Sequence, residues 1–201
     1  MAEPPHLILA SASTARAALL RAAGVEIAID AARVDEEAIK AALRAEGAPA
    51  RDQADKLAEL KALRVSGRHQ GALVLGADQV LVAGDEVHDK PADQAAARAQ
   101  LVSLRGRRHQ LLSAAVIARN GAPIWRHIGR ASLEMRPFSD AFLDRYLDVM
   151  GDSVTETVGS YKLEGIGAQL FARVDGDYFS VLGLPLLEVL GFLRAQGTLA
   201  E

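Results

Sequence analysis

Residues 72–83 read ALVLGADQVLVA and form the most apolar stretch of the chain, with Asp78 near its centre. The Val and Leu residues favour a β-strand, and the strand predicted at 72–76 leads directly to this carboxylate and holds it on rigid backbone. A carboxylate among apolar side chains is costly to bury unless another group pairs with it or it binds a cation. Two interpretations are therefore open: Asp78 bonds backbone amides at a strand end, or it belongs to a site.

Strands and helices alternate outward from Asp78. Further strands are predicted at 6–10, 25–30, 110–118, 124–135 and 170–174, and helices at 15–23, 35–46, 51–65, 91–104, 141–150 and 184–195. Turns are predicted at 84–86, at Asn120-Gly121 and at 175–177. This order, with a plain hairpin in it, predicts an α/β fold with a mixed sheet, flanking helices and two lobes around a central cleft.

The composition is that of an ordinary globular protein of 201 residues, half of them hydrophobic. A net charge of −3 argues against non-specific nucleic-acid binding. The absence of cysteine excludes thiolate metal sites and cysteine nucleophiles and is consistent with a reducing cytosol. No apolar run reaches the ~18 residues of a membrane helix, and residues 1–13 contain an acid where a signal peptide is basic. We therefore expect a cytoplasmic protein without membrane or nucleic-acid partners.

The first predicted helix begins with features suited to an anion. Ser11 and Ser13 follow the first strand, and Arg16 falls in the first helical turn. Free backbone amides and the positive end of the helix dipole attract phosphate there, and a guanidinium binds phosphate oxygens in pairs. The alternative is that Ser13 or Thr14 only caps the helix.

Acidic residues provide a possible metal site. The run at 35–37 opens a predicted helix, where acids are favourable in any protein. Together with Asp78 it offers carboxylates for Mg²⁺, which is typically held by one or two carboxylates plus substrate phosphates. Lys61 and Lys90 would neutralise the remaining charge of a polyphosphate. The alternative for each lysine is a solvated surface position.

A glycine-rich segment at 159–167 allows close backbone approach to a ligand. Within it, Tyr161 is suited to stacking on a base and Glu164 to accepting hydrogen bonds from a base edge; the alternative is a bend with a packed tyrosine. His109 is predicted to be a surface histidine before a strand rather than a general base. The sequence contains no P-loop, Rossmann, zincin or esterase-elbow motif.

In combination these motifs resemble the Maf (septum-formation-inhibitor-like) family of nucleotide pyrophosphatases. The motifs, in chain order, are LILASAS at 7–13, VDEE at 34–37, LAELKA at 57–62, LGADQVL at 75–81, DKP at 89–91, GSYKLEGIG at 159–167 and DGDYFSVLGLP at 175–185. The resemblance implies a single domain over 1–201 with an elongated mixed sheet, and a homodimer. It also implies hydrolysis of nucleoside triphosphates to a nucleoside monophosphate and pyrophosphate with a divalent cation, for which we expect Mg²⁺, Mn²⁺ or Co²⁺.

The resemblance also implies roles for individual residues. Asp78 would orient or deprotonate the attacking water, and Glu36 would hold the metal with it. The other implied site residues are Lys61 and Lys90 in catalysis, and Ser11, Ser13, Arg16, Gln79, Lys162 and Glu164 in substrate binding.

The base remains open at this stage. Gln79, Lys162 and Glu164 resemble the branch of the family that acts on 7-methyl-GTP. Against that, Ala15 stands where this branch has a tryptophan, and the DGDYF segment resembles the branch that acts on dTTP and UTP. An alternative function is a non-catalytic nucleotide-binding regulator of cell division. Such a binder would need the phosphate-binding residues but not the pair Asp78 and Glu36.

Overall fold

The computed structural model describes residues 7–200, so the first residue of the strand predicted at 6–10 lies outside the described residues. The strands are β1 (Leu7–Leu9), β2 (Ile27–Ile29), β3 (Leu73–Ala83), β4 (Glu86–His88), β5 (Arg108–Arg119), β6 (Ala122–Met135) and β7 (Phe171–Gly176). The α-helices are α1 (Thr14–Ala22), α2 (Glu36–Ala45), α3 (Ala50–Ser66), α4 (Gln94–Leu104), α5 (Asp140–Met150), α6 (Tyr178–Val181) and α7 (Leu186–Ala195). Short 3-10 helices cover Gly151–Thr155 and Ile166–Leu170. The predicted α/β class is confirmed.

Strand β3 organises a mixed sheet of seven strands. The order is β2-β1-β3-β5-β6-β7, with β4 paired to β3. Strand β1 is parallel to β2 and β3, whereas all pairs among β3, β4, β5, β6 and β7 are antiparallel. The β5-β6 hairpin turns at Asn120 and Gly121, which both have positive φ, as a type I′ turn requires.

One edge of β3 is interrupted in its middle. Strand β1 pairs with Leu73–Leu75 and β4 with Leu81–Ala83 on that edge, whereas β5 pairs with 74–82 on the other edge without a break. Residues 76–80 therefore have no strand partner on the first edge, which is open between β1 and β4, and the Ala77 carbonyl accepts from Arg16 instead. Asp78 lies in the middle of this open edge.

The two faces of β3 are covered differently. Helix α3 packs so closely on one face that a Cβ on Gly76 would overlap the carbonyl oxygen of Ala58, which explains the glycine. On the opposite face the core forms two clusters, one around Leu75 with α1 and α7, the other around Leu81 with α4 and α5. These clusters are the cores of the two predicted lobes. Gln79 lies between them on the same face, because alternate residues of a strand share a face.

Two predicted helix starts are wrong. The helix predicted from Pro91 begins at Gln94, because the Asp93 side chain accepts a hydrogen bond from the Ala96 amide and caps the helix there. The C-terminal helix begins at Leu186, two residues later than predicted.

The turn predicted at 175–177 is also wrong. Asp175 and Gly176 extend β7, because Ser132 and Ala131 of β6 remain available to pair with them. Asp177 caps the short helix α6 instead, with its carboxylate accepting from the amides that follow. Within 7–200, no helix is long and apolar enough to cross a membrane.

Candidate functional site

Arg16 is fixed at the open edge of β3. Ser13 is the N-cap of α1, its hydroxyl accepting from the Arg16 amide, and a role of Ser13 in substrate binding stays a prediction. The Arg16 guanidinium donates from Nε to the Gly183 carbonyl (2.8 Å), and from Nη1 to Ser11 Oγ and to the Ala77 carbonyl (both 3.1 Å). These three bonds leave Nη2 without an acceptor among residues 7–200. Arg16 is thus a cation in a fixed position, and its Nη2 remains available to a ligand.

The surroundings of Arg16 act on its charge in opposite directions. Burial lowers the pKa of Arg16, and the nearby carboxylates of Asp78 and Glu36 offset this only in part. Arginine nevertheless stays protonated in proteins. A desolvated guanidinium attracts an anionic ligand more strongly than a solvated one, because the local dielectric constant is lower.

Lys61 joins the two carboxylates predicted to hold a metal. Packing of α3 on β3 places its Nζ 2.8 Å from Oδ1 of Asp78 and 3.0 Å from Oε1 of Glu36. Lys61 and Asp78 are only 7% and 6% exposed, so their attraction is little screened by water. Oδ2 of Asp78 is buried and has no hydrogen-bond partner within 7–200. Asp78 therefore has one oxygen held by Lys61 and one oxygen available.

Glu36 and Lys90 complete the charged group around Asp78. Partial burial works to raise the pKa of Glu36, but Lys61 outweighs it and the pKa is lowered, with a smaller contribution from Lys90. Desolvation and the nearby Arg16 and Lys61 cations lower the pKa of Lys90. Lys90 forms no ion pair with any other residue in 7–200 and reaches solvent. The Lys90 ammonium is therefore available to bind an anionic ligand.

The donor set fits a metal that arrives with its substrate. In the described part of the chain no group of three or more His, Cys, Asp or Glu side chains converges as a complete metal cage. Glu36 and Asp78 offer two carboxylates, and the available Oδ2 of Asp78 is a buried acceptor without a donor. Two carboxylates plus phosphate oxygens and water match the coordination of Mg²⁺.

A small pocket lies on the opposite face of β3. Residues that line it include Gln79, Leu111, Tyr161, Lys162 and Glu164. Its volume of about 40 Å³ is far smaller than a ligand site of several hundred Å³. A nucleobase would therefore enter only if the pocket walls move apart.

The amide of Gln79 has a defined orientation. Its Nε2 donates to Ser113 Oγ (2.9 Å) and to the carbonyl oxygens of Ser180 (3.0 Å) and Val181 (3.1 Å). Because carbonyl oxygens only accept, the amide nitrogen must face them. The Oε1 of Gln79, a hydrogen-bond acceptor, has no donor among residues 7–200, and Gln79 lines the pocket.

Lys162 and Glu164 differ in whether their charges are paired with another residue. Nζ of Lys162 lies 2.6 Å from Oε2 of Glu156, so its charge is paired. Glu164 is exposed and forms no ion pair in the described part of the chain. Both residues line the pocket, but only Glu164 has a charge without an ion pair in the described part of the chain.

The order of these elements and the residues at the site agree with a family relationship. The sequence model of the Maf-like proteins matches residues 6–196, nearly the whole chain. The chain belongs to the Maf family. The resemblance stated from the motifs is thereby confirmed, and so is the predicted mixed sheet with flanking helices.

Relatives within the Maf family carry related names. A protein of Paramagnetospirillum magneticum named nucleoside triphosphate pyrophosphatase is 53% identical over 96% of this chain and 99% of that protein. One of Ruegeria pomeroyi with the same name is 52% identical over 96% of this chain and 97% of that protein. A protein of Brucella abortus named 7-methyl-GTP pyrophosphatase is 47% identical over 94% of this chain and 96% of that protein.

His109 of this Maf chain is buried, so the prediction of a surface histidine is wrong. It is 1% exposed, and its Nε2 lies 2.8 Å from the hydroxyl oxygen of Tyr161. Its ring and those of Tyr161 and Phe171 pack together, with centroids 4.7–6.0 Å apart. Burial, with a smaller contribution from His88, lowers the pKa of His109 to about 4. The alternation of β5, in which Leu111 and His109 share a face, was the available signal for this position.

Acidification should destabilise the protein through His109. Its pKa is about 4 when folded and about 6.5 when unfolded, so the unfolded state binds more protons between these values. The free energy of unfolding should fall by up to about 3 kcal/mol as the pH drops from 6.5 to 4. Urea unfolding at several pH values would measure this, with His109→Gln showing a shallower slope than the wild type. Equal slopes for the two proteins would contradict the assignment.

Proposed function

We propose that the chain hydrolyses nucleoside triphosphates between the α and β phosphates, releasing a nucleoside monophosphate and pyrophosphate. The observation that carries this proposal is Asp78, which has one buried oxygen held by Lys61 and the other unpartnered at the open edge of β3. A carboxylate in this state is suited to receive a proton from water or to bind a metal. The names of the relatives support the same reaction.

The surrounding cations would bind the phosphates. Nη2 of Arg16 and the ammonium of Lys90 are free of protein partners in 7–200, and Lys61 reaches the same place. They would stabilise the charge that develops on the leaving pyrophosphate, which is the main contribution of protein groups to phosphoryl transfer. Ser11 and Ser13 would contribute to substrate binding. The Ser11 hydroxyl accepts from Nη1 of Arg16 and would thereby orient the guanidinium.

A divalent cation would be held by Glu36 and Asp78. Three cations and two carboxylates give this cluster a formal charge of only +1, too little to neutralise a triphosphate. A cation such as Mg²⁺, Mn²⁺ or Co²⁺ would supply the missing positive charge and polarise a phosphoryl oxygen.

The pocket favours a base with hydrogen-bond donors. Gln79 presents Oε1 and Glu164 presents a carboxylate, so both groups accept. Guanine has two adjacent donors, N1–H and the N2 amino group, whereas thymine and uracil have one donor between two acceptors. Methylation at N7 adds positive charge to guanine, which a carboxylate also attracts. We propose guanine nucleotides, including 7-methyl-GTP, as preferred substrates; the name of the Brucella relative supports this choice.

Turnover of a nucleotide panel with product identification would test the function. We expect GTP and 7-methyl-GTP to have kcat/KM values about tenfold or more above those of dTTP and UTP, because guanine offers donors to both acceptors and thymine and uracil offer only one donor. The products should be a monophosphate and pyrophosphate. Release of a diphosphate and inorganic phosphate would contradict the bond assignment, and a pyrimidine preference would contradict the base assignment.

A homodimer and a cytoplasmic location stay predictions. Light scattering after size-exclusion chromatography would measure the mass of the assembly in solution. Fractionation of cells followed by detection of the chain would measure its location.

A further inference from the structure

Gln100 connects two segments that the site uses. It lies half-buried in α4, and its Nε2 donates to the carbonyl of Asp89 (2.9 Å), the residue before Lys90. Its Oε1 accepts from the Gly159 amide (2.8 Å) and from the Ser160 hydroxyl (3.1 Å). One side chain thus bridges the segment before Lys90 and the turn before the pocket wall.

The turn at Gly159 and Ser160 needs such support. Both residues have positive φ, +85° and +61°, and this conformation is unfavourable for a residue with a side chain. Ser160 is fully buried, and its carbonyl accepts a hydrogen bond from the Tyr146 hydroxyl (2.9 Å). Tyr146 and Gln100 therefore hold the turn from two sides, and the chain leaves it directly into Tyr161.

The other end of the bridge is firmly held. The carboxylate of Asp89 pairs with Lys40 (2.9 Å) and with Arg44 (2.6 Å), both on α2. Glu36 is the first residue of the same helix. The Asp89 side chain thus connects the segment before Lys90 to the helix that begins at Glu36.

We propose that Gln100 is a positioning residue for base selection. It holds the turn at 159–160, and with it the pocket wall at 161–164, against the Asp89–Lys90 segment. It contacts neither Asp78 nor Lys61, so its influence falls on the fit of the base rather than on the reacting phosphates. This role rests on the proposed function.

Two variants at position 100 distinguish the effect of the Gln100 hydrogen bonds from the effect of its packing. Gln100→Leu keeps a similar size but leaves the Gly159 amide and Ser160 hydroxyl without their acceptor. We expect the ratio of kcat/KM between GTP and UTP to fall by about tenfold, mainly through a higher KM for GTP. Gln100→Glu retains an acceptor for both donors but places a carboxylate oxygen against the Asp89 carbonyl in place of the Nε2 donor. It therefore breaks the other end of the bridge and should lower the ratio as well. Inhibition by inorganic pyrophosphate, which has no base, should change far less than the KM for GTP.

Gln94→Leu is the matched control. Gln94 lies on the same helix, and its amide bonds only the exposed Asp152 (3.0 Å), away from both segments. This variant should retain the wild-type ratio and turnover.

The results with these variants distinguish the role of Gln100 from the proposed nucleotide hydrolysis. Wild-type turnover on the same nucleotides tests the function. If the wild type turns over and Gln100→Leu keeps its ratio, or loses activity equally on all nucleotides, the role of Gln100 is overturned. A Gln100→Glu variant with the wild-type ratio would also overturn it, because that variant lacks the bond to Asp89. If Gln100→Leu does not fold, Ser160→Ala removes one bond of the same network and should lower the ratio in the same direction; an unchanged ratio there would overturn the role.

Discussion

Asp78→Asn should reduce the turnover of every nucleotide by roughly 10²–10⁴-fold, because an amide neither accepts a proton from water nor binds a metal as a carboxylate does. The change preserves the shape of the side chain. The asparagine oxygen still accepts from Lys61, and Glu36 remains 3.0 Å from the same ammonium. Lys61 is therefore not left as an unpaired buried charge, and the variant should fold. Steady-state pyrophosphate release would measure the loss.

The control for this variant is Asp30→Asn. Asp30 pairs with Arg68 and His69 at the end of β2, outside the site, and its replacement should leave turnover unchanged. Nucleotide binding to Asp78→Asn, measured by calorimetry, should persist because Arg16 and Lys90 remain. A folded variant with wild-type turnover would contradict the role of Asp78. Such a result would favour a site in which the carboxylate only neutralises Lys61.

Excess chelator should abolish turnover, and Mg²⁺, Mn²⁺ or Co²⁺ should restore it. The physical reason is charge. Asp78 and the four charged side chains around it have a total formal charge of +1, which does not neutralise a polyphosphate. The Oδ2 of Asp78, buried without a donor in 7–200, is where a cation would be most stabilised. Turnover against free metal concentration would measure this dependence.

Glu36→Gln is the variant that locates the cation. Loss of one of the two carboxylates should raise the metal concentration needed for half-maximal turnover by about tenfold or more. Glu37→Gln, one residue along and exposed, is the matched control and should leave that concentration unchanged. Full turnover in excess chelator would remove the metal from the proposal and the role of Glu36 with it.

Features that depend on neighbouring residues were predictable from the sequence. Ser139 caps α5 through the Phe142 amide, and Asn120-Gly121 closes the β5-β6 hairpin. Both depend on interactions within a few residues, so their patterns are visible in the chain. The motifs of the Maf family also located the residues of the site, although the roles assigned to these residues stay predictions.

Other features depend on residues that meet only in the folded protein. His109 is buried because residues from β7 and the 159–167 segment cover it, and neither is near it in sequence. Lys162 pairs with Glu156 and so offers no free charge to the pocket. Gln100 belongs to no motif, since its hydrogen-bond partners are 11, 59 and 60 residues away.

By itself the sequence determined that this is a mixed α/β protein of the Maf type, with Asp78 on a buried central strand and cations and carboxylates in a set order. Apolar runs, caps and turn residues act locally, and motif order is a property of the chain. Only the tertiary structure decided which groups are engaged and which are free. The Nε2 of Gln79 is occupied by carbonyls about 100 residues away, whereas Oδ2 of Asp78 is left without a donor in 7–200. Such pairing depends on the distances between side chains on elements that are far apart in sequence. Packing sets these distances, and no local sequence pattern predicts them.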